Sequence, residues 1–271
     1  MPELPEVETT RRGIEPHVEK QRVKEIILRR KDLRWPITPD LSKDMPGQTI
    51  ESVSRRGKYL LLQTKTGTLI IHLGMSGSLR IATQSHIVGK HDHVDIVLDN
   101  KKILRFNDPR RFGCMLWQKS NGCLHPLLAS LGPEPLSENF NSNYLYKKSR
   151  TRNAAIKTFI MDSKIVVGVG NIYANESLFL AGINPKRSAG KISKARFAKL
   201  VPCIKQVLQN AIDAGGTTLR DFTDSDGKPG YFAQSLLVYG RKDQPCNVCK
   251  TILKEIRQGQ RSTVYCPKCQ G

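Results

Sequence analysis

The chain has 271 residues, and its 44 Lys and Arg against 24 Asp and Glu give a formal net charge of +20. Such a charge attracts polyanions, so nucleic acid is the expected partner and an anionic membrane surface is the competing one. The sequence shows no apolar run of about 18 residues and no signal-peptide pattern, so we expect an intracellular protein rather than a membrane-spanning or exported one. The length suits two modest domains.

The first half of the chain predicts β structure after an opening helix over residues 5–20. Two pairs of apolar runs are separated by the turn dipeptides Thr66-Gly67 and Asp99-Asn100, and each pair predicts a β-hairpin. The predicted strands span residues 22–29, 49–55, 59–63, 68–72, 94–98 and 103–106. Short strands with regular turns favour a sandwich or a barrel.

Beyond a Gly/Pro break at residues 131–135, the periodicity becomes helical and predicts helices over 151–162, 172–181 and 193–214. A glycine-bearing turn, residues 166–171, precedes the second of these helices and ends in Asn171, a potential N-cap. The free amides of such a helix start could bind a DNA phosphate with help from Asn171, or the turn could simply connect two helices. Residues 215–230 are rich in Gly, Thr and Asp and indicate a long loop.

Four of the seven cysteines form the pattern Cys-x2-Cys-x16-Cys-x2-Cys near the end of the chain. This spacing is typical of two knuckles that hold one tetrahedral zinc ion, and two disulfides are the alternative. A reducing compartment, expected for an intracellular protein, favours zinc. The predicted zinc ligands are Cys246, Cys249, Cys266 and Cys269.

The first residues carry the groups for nucleophilic catalysis. Removal of Met1 would leave Pro2 with a free secondary amine, and a terminal amine has a pKa near ~8 against ~10.4 for lysine. A neutral amine attacks a carbonyl carbon to form a Schiff base, which for proline is a charged iminium. Glu3 is next to this amine and Glu6 shares a helix face with Glu3. The alternative is that Pro and Glu here only favour the start of a helix.

The opening Pro-Glu-Leu-Pro-Glu-Val-Glu, the glycine turn before helix 172–181 and the terminal four-cysteine ribbon occur together in one family. In this order they make the whole chain resemble bacterial formamidopyrimidine-DNA glycosylase. The resemblance implies an α+β protein with an N-terminal β-sandwich catalytic domain (residues 1–132), a linker (133–150), a helix–two-turn–helix DNA-binding domain (151–235) and a zinc finger (236–271).

The resemblance also implies the catalytic roles. Pro2 would attack the sugar C1′, expel the oxidised base and hold the deoxyribose as an iminium, and β- and δ-elimination would then cut the strand. Glu3 would be the acid/base that opens the sugar ring, with Glu6 as support. Lys58 matches the family's catalytic or phosphate-binding lysine, and is otherwise a solvated charge at a strand end. Arg261 matches the residue assigned to phosphates and δ-elimination.

Enzymes that act on a base flip it out of the duplex, at a cost of a few kcal/mol. By resemblance, Met75 fills the space that the flipped base leaves, Phe112 wedges between neighbouring bases, and Arg110 reads the estranged cytosine. Periodicity alone instead favours core packing for Met75 and Phe112. Phosphate-side contacts are implied for His91, Arg152, Lys157 and Asn171. His91-Asp92-His93 resembles a metal pair, but nothing nearby completes a ligand set.

The loop over residues 216–222 and 228–231 would cap the lesion. Oxidation converts guanine N7 from an acceptor to a donor, so a main-chain carbonyl in this loop could select 8-oxoguanine, since an unpaired buried polar group costs about 1–3 kcal/mol.

Two other functions fit parts of this pattern. One is an endonuclease VIII-like glycosylase for oxidised pyrimidines, which the Met75, Arg110 and Phe112 set and the long loop disfavour. The other is a non-catalytic zinc-ribbon protein that binds nucleic acid through its charge. The resemblance implies a monomer in the bacterial cytoplasm that is associated with the nucleoid. Its expected partner is duplex DNA with oxidised purines or abasic sites, and it is expected to need no protein partner.

Overall fold

In a computed structural model of the chain, the structure describes residues 2–120, 124–216 and 236–271. These residues form two compact units. The first unit contains residues 2–129 and 214–216, and the second contains residues 130–213 and 236–271. None of the described helices is both long and apolar enough to cross a lipid bilayer.

The first unit opens with helix α1, Leu4–Val18, which Glu3 caps. The Glu3 carboxylate accepts the backbone N–H of Glu6, and the Glu6 carboxylate accepts the backbone N–H of Glu3 at 2.8 Å, which forms a capping box. Val7, Ile14 and Val18 recur at helical spacing and are buried in the hydrophobic core. Their burial fixes the helix, and with it Pro2 and Glu3, on the β structure.

Two four-stranded antiparallel sheets make up the β structure of the described first unit. One has the order β1-β6-β7-β5, and the other has the order β2-β3-β4-β8. Side chains from both sheets share one core with α1, so this is the predicted β-sandwich with its opening helix. The strands are β1 Val23–Leu28, β2 Ser52–Arg56, β3 Tyr59–Gln63, β4 Gly67–His72, β5 Ser78–Thr83, β6 Asp92–Leu98, β7 Lys102–Asn107 and β8 Cys114–Lys119, with short helices α2 Leu41–Asp44 and α3 Pro126–Ala129.

The second unit is helical and ends in a two-stranded hairpin. Its elements are α4 Ser142–Ser149, α5 Ile156–Ile160, α6 Asn171–Leu180, a 3₁₀ turn Ala189–Lys191, α7 Lys194–Asp213, β9 Lys254–Gln258 and β10 Arg261–Tyr265. Helix α6 is buried on nearly all sides, because it packs on α7 and on β10. This helix therefore links the helical part of the unit to the hairpin.

Both predicted hairpins are confirmed: β3 pairs with β4 and β6 pairs with β7. Strands β5 and β8 were not predicted. Strand β8 is a short buried run without alternation, and it pairs with β4, which lies more than 40 residues earlier in the chain. Such a strand has no local signal, because its partner and its burial on both faces are decided by the tertiary fold.

Residues 133–162 contain one helix that was not predicted and one that is shorter than predicted. The predicted linker contains helix α4, in which Tyr146 meets Phe197 of α7 edge to face at 6.3 Å. The predicted helix 151–162 shrinks to Ile156–Ile160, because Ala155 pairs with Ser188 in an extended bridge. The exact domain limits that we predicted remain a prediction.

Candidate active site and zinc centre

The residues at the start of α1 are held in one buried arrangement. Pro2 is buried, and Glu3 and Glu6 are only 3% and 2% exposed. The capping box fixes the Glu3 carboxylate beside the residue that bears the predicted nucleophile. Gly216, the last described residue before the predicted lesion-capping loop, lies against Glu6, since a Cβ there would be 3.4 Å from Glu6 Cγ. The rest of that loop, residues 217–235, lies outside the described residues, as does Met1.

Lys58 lies in the tight turn between β2 and β3, where Gly57 has a φ of +57°. Helix α1 reaches this turn through Glu8. The Glu8 carboxylate accepts Arg55 Nε at 3.1 Å, and Arg55 donates to the Gly57 carbonyl at 2.9 Å. The turn that carries Lys58 is thus tied to the helix that starts at the predicted nucleophile.

His72, at the end of β4, was given no role from the sequence. Its Nδ1 accepts the backbone N–H of Gly74 at 2.9 Å, and its ring lies 5.0 Å from that of Tyr59. Burial and the positive charges of Lys58 and Arg34 lower the pKa of His72 to about 4. A neutral imidazole therefore lies beside Lys58 at neutral pH. The sequence does not distinguish a histidine that is enclosed at a strand end from one that is exposed to solvent there.

The structure brings Met75, Arg110 and Phe112 together on two adjoining turns of the first unit. Met75 is partly buried, whereas Arg110 is exposed and Phe112 is 44% exposed. The Arg110 guanidinium lies over the Phe112 ring at 5.0 Å from its centroid. Phe112 is therefore a surface side chain rather than part of the core. It contacts the guanidinium of Arg110, which is predicted to read a base.

His91 is partly buried just before β6, and its carbonyl accepts the backbone N–H of Asp108 at 3.0 Å. The next two residues, Asp92 and His93, make contacts within the β-sandwich. Asp92 binds Arg80 at 2.6 Å, and His93 Nε2 hydrogen-bonds to the Asp108 carbonyl at 2.8 Å. These contacts account for His91-Asp92-His93 as strand structure, in which the His91 ring lies edge-on to the His93 ring at 6.5 Å between centroids.

In the second unit, Arg152, Lys157 and Arg261 line one depression of about 360 Å³ between α5 and the β9–β10 hairpin. Arg152 and Arg261 are exposed, as phosphate contacts require. Lys157, also predicted as a phosphate-side contact, is 1% exposed and donates to the Ser262 carbonyl at 2.9 Å and to Thr263 Oγ1 at 2.7 Å. Its ammonium therefore ties α5 to the strand that begins with Arg261.

Asn171 is the first residue of α6, and Gly170 is the N-cap, so the predicted cap is displaced by one residue. Gly168, with a φ of +81°, allows the turn that leads into the helix. Asn171 Oδ1 is buried and has no hydrogen-bond partner among the residues that the structure describes. The positive end of the helix dipole at the start of α6 is suited to an oxyanion ligand, to which the side-chain amide of Asn171 can donate through Nδ2.

The four terminal cysteines converge on a site of the size that zinc requires. Their Sγ atoms all lie within 4.8 Å of one another, with Cys246 and Cys269 at 4.0 Å and Cys249 and Cys266 at 3.4 Å. Tetrahedral zinc with Zn–S bonds of about 2.3 Å needs S···S distances of roughly 3.8 Å. Four thiolates fill all four ligand positions, so the ion is structural rather than catalytic.

Helix α6 anchors the segment that holds these cysteines. The Glu176 carboxylate accepts the backbone N–H groups of Leu237, Val238 and Tyr239 at 2.8 to 3.0 Å. On the next residue back, Asn175 Oδ1 accepts the N–H of Val264 in β10 at 3.0 Å. The zinc segment is thereby fixed to the helix that begins at Asn171.

Comparison with known proteins shows the family to which the chain belongs. Family models match the N-terminal domain of formamidopyrimidine-DNA glycosylase over residues 1–115, its H2TH domain over 131–223, and a zinc finger found in FPG and IleRS over 243–271. The formamidopyrimidine-DNA glycosylases of Marinobacter nauticus and Idiomarina loihiensis are 60% and 59% identical, and each match covers the whole of both chains. The chain belongs to the formamidopyrimidine-DNA glycosylase family.

Solved structures of the family support this membership. A Lactococcus lactis FPG mutant in complex with Fapy-dG DNA has a TM-score of 0.92 and 33% identity, and 99% of each chain is covered. The MutM (FPG) protein of Thermus thermophilus has a TM-score of 0.89 and 35% identity, covering 100% of this chain and 99% of that one. The predicted fold class is confirmed.

Membership confirms the predicted enzyme class. The chain is a DNA glycosylase and AP lyase of base-excision repair, and it carries one structural zinc ion in a finger formed by its last residues. The alternative of a non-catalytic zinc-ribbon protein was wrong, because the zinc ribbon belongs to a chain that matches a glycosylase along its whole length.

Proposed function

We propose that this glycosylase removes oxidised purines, 8-oxoguanine and formamidopyrimidines, from duplex DNA with Pro2 as the nucleophile. The observation that carries the proposal is the buried start of α1, where the capping box holds Glu3 and Glu6 at the residue that would bear the terminal amine. A relative's structure holds DNA with a Fapy-dG lesion, and another holds DNA with an abasic site, which fits both the glycosylase and the lyase step.

In the proposed reaction, the neutral Pro2 nitrogen forms a bond to the sugar C1′ and gives its proton to Glu3. The bond from C1′ to the damaged base breaks, and the base leaves with the electron pair and takes a proton from water. Glu3 supplies the proton that opens the sugar ring at its oxygen. The positive iminium draws electrons from C2′, so a proton leaves C2′ and the 3′ phosphate departs, and the 5′ phosphate departs in the second elimination. Water then releases the sugar remnant and restores the amine.

The proposed positions of the DNA follow cationic and polar side chains that are exposed or partly buried. Lys58 and Arg261 would bind phosphates at the lesion, with Arg261 assisting the second elimination. Arg152, His91 and Asn171 would bind neighbouring phosphates, the last through the start of α6. Lys157 would act indirectly, because its buried ammonium holds the strand that begins with Arg261.

Three side chains would offset the cost of flipping the base. Met75 would occupy the space left in the stack, and Phe112 would wedge open the neighbouring step. The exposed guanidinium of Arg110 would donate to the acceptors of the estranged cytosine. The stacking of Arg110 on Phe112 supports these roles, because it places both on the same surface of the first unit.

As partner we propose duplex DNA alone, bound by a monomer in the bacterial cytoplasm and thereby associated with the nucleoid. The charge of +20 supports this partner, because neutralising phosphates releases counterions and favours binding to any duplex. The proposed lesion-capping loop spans residues that the structure does not describe, apart from Gly216.

Borohydride trapping tests the proposed nucleophile. We expect a covalent adduct on Pro2, located by mass spectrometry, with a duplex that holds one 8-oxoguanine opposite cytosine. A protein with one extra residue before Pro2 is the matched control and should form no adduct, since its proline nitrogen is an amide. An adduct on a lysine, or no adduct from protein that starts at Pro2 and binds the duplex, would contradict the proposal.

A thymine-glycol duplex distinguishes the endonuclease VIII-like alternative, which predicts faster trapping on that substrate.

A further inference from the structure

Asp108 is a buried carboxylate that joins two turns of the first unit. It is 0% exposed, although it directly follows β7 at the edge of the sandwich. Its Oδ1 accepts the hydroxyl of Ser76 at 2.8 Å, and its Oδ2 accepts the backbone N–H of Gly113 at 2.8 Å. The backbone N–H of Arg110 points at the same pair, 3.2 Å from Ser76 Oγ and 3.3 Å from Asp108 Oδ1.

The two turns also touch through their backbones. A Cβ on Gly74, whose φ is +66°, would lie 2.4 Å from the Gly113 nitrogen. A Cβ on Gly113 would lie 2.7 Å from the His72 carbonyl oxygen and 3.1 Å from Asp108 Oδ2. Only glycines allow this approach, so the turn that carries Met75 and the turn that carries Arg110 and Phe112 are in direct contact with the carboxylate between them.

The backbone of Asp108 is fixed as well. Its N–H donates to the His91 carbonyl at 3.0 Å, and its carbonyl is hydrogen-bonded to His93 Nε2 at 2.8 Å. His91 directly precedes β6, and His93 is its second residue. Asp108 therefore has little freedom to move relative to the sandwich, and the groups bonded to its carboxylate are located with it.

We propose that Asp108 and Ser76 form a positioning pair that makes the two turns one rigid part, so that Met75 and Arg110 enter the duplex together. This proposal rests on the proposed roles of Met75, Arg110 and Phe112. Arg110 has a long flexible side chain, and beyond its contact with Phe112 its placement depends on its backbone, which the pair holds. Reading one base by hydrogen bonds requires the guanidinium to be placed within about 0.5 Å.

A double-mutant cycle on base discrimination tests the pair. The quantity is the ratio of kcat/KM for 8-oxoguanine opposite cytosine to that opposite adenine. Arg110→Ala should remove most of the discrimination, and Ser76→Ala should lower it roughly fivefold or more. In the Arg110→Ala background, Ser76→Ala should cause no further loss, because the pair acts through Arg110.

Further variants serve as a control for loss of a hydroxyl and as a conservative replacement of Asp108. Ser78→Ala removes a hydroxyl on β5 that is not bonded to Asp108 and should leave the ratio within about twofold of the parent. Asp108→Asn keeps an acceptor for Gly113 and can donate to Ser76 Oγ, so it should retain more discrimination than Asp108→Ala at equal thermal stability.

The outcomes separate the two proposals. If Arg110→Ala leaves discrimination unchanged, the proposed reading of the opposite base fails, and the positioning pair fails with it. If Arg110→Ala removes discrimination but Ser76→Ala leaves it intact, or lowers it further in the Arg110→Ala background, the positioning pair alone is overturned.

Discussion

His72 shows how a single residue acquires a property from its surroundings. The imidazole accepts a hydrogen bond at Nδ1 from Gly74 and lies among Lys58, Arg34 and the ring of Tyr59. Protonation of His72 would add a third positive charge near those of Lys58 and Arg34. Burial and the two cations therefore lower the pKa of His72 to about 4, against an ordinary value near 6.5.

This shift predicts a pH dependence of stability. Between about pH 6.5 and pH 4 the unfolded chain protonates His72 and the folded chain does not, so the free energy of unfolding should fall as the pH falls through that window and level off below it. The contribution is at most about 3 kcal/mol. Urea unfolding at several pH values should show a shallower dependence for His72→Gln than for the parent.

The control is His86→Gln, which replaces a histidine in an exposed loop of the first unit. If His72→Gln and the parent lose stability in parallel between pH 6.5 and pH 4, the neutral buried imidazole is contradicted.

At the scale of elements, helix α1 and the β2–β3 turn are joined by the Glu8–Arg55 ion pair. Burial opposes the charge of Glu8, but hydrogen bonds from Arg11, Arg12 and Arg55 hold its pKa below the ordinary value. Arg55 also binds the Gly57 carbonyl, and both Arg55 and Glu8 are only 12% exposed. A pair of this kind fixes geometry more than it adds stability.

We expect Arg55→Met to slow strand cleavage by roughly tenfold or more, because Lys58 would lose its fixed position beside α1. Cleavage rates on an abasic-site duplex at saturating enzyme measure this effect. Arg12→Met is the matched control: it removes a contact to the same Glu8 carboxylate, but Arg12 is 52% exposed, and such a pair contributes about 0–1 kcal/mol. Equal rates for the two variants would contradict a positioning role for Arg55.

At the scale of the whole molecule, the first unit and the zinc segment belong to different hydrophobic clusters. The core of the first unit consists of side chains from α1 and both sheets. The zinc segment has a small cluster of its own, in which Val238, Leu253 and Val264 pack with Phe179 and the cysteines. So small a cluster needs the metal, since domains below about 40 residues are usually held by metals or disulfides.

Removal of zinc by a chelator should therefore unfold residues 243–271 and abolish retention on DNA, while the first unit stays folded. Hydrogen exchange followed by mass spectrometry should show loss of protection in β9 and β10 with β4 and β6 still protected. Restoring zinc should restore both protection and DNA binding. Protection of the hairpin that persists without metal would show that Glu176 and Asn175 hold the segment by themselves.

The sequence by itself determined the features whose signals are local. Helix α1, the hairpins β3–β4 and β6–β7, the family and the zinc ligands all follow from periodicity, turn residues or fixed spacing. Only the tertiary structure decided the roles that depend on partners distant in sequence. Asp108 meets Ser76 from 32 residues away, and Lys157 is buried against Thr263. Burial, with the charges of Lys58 and Arg34, lowers the pKa of His72 so that its ring is neutral. A side chain's burial, charge state and direction are set by what packs around it, and local sequence does not encode those neighbours.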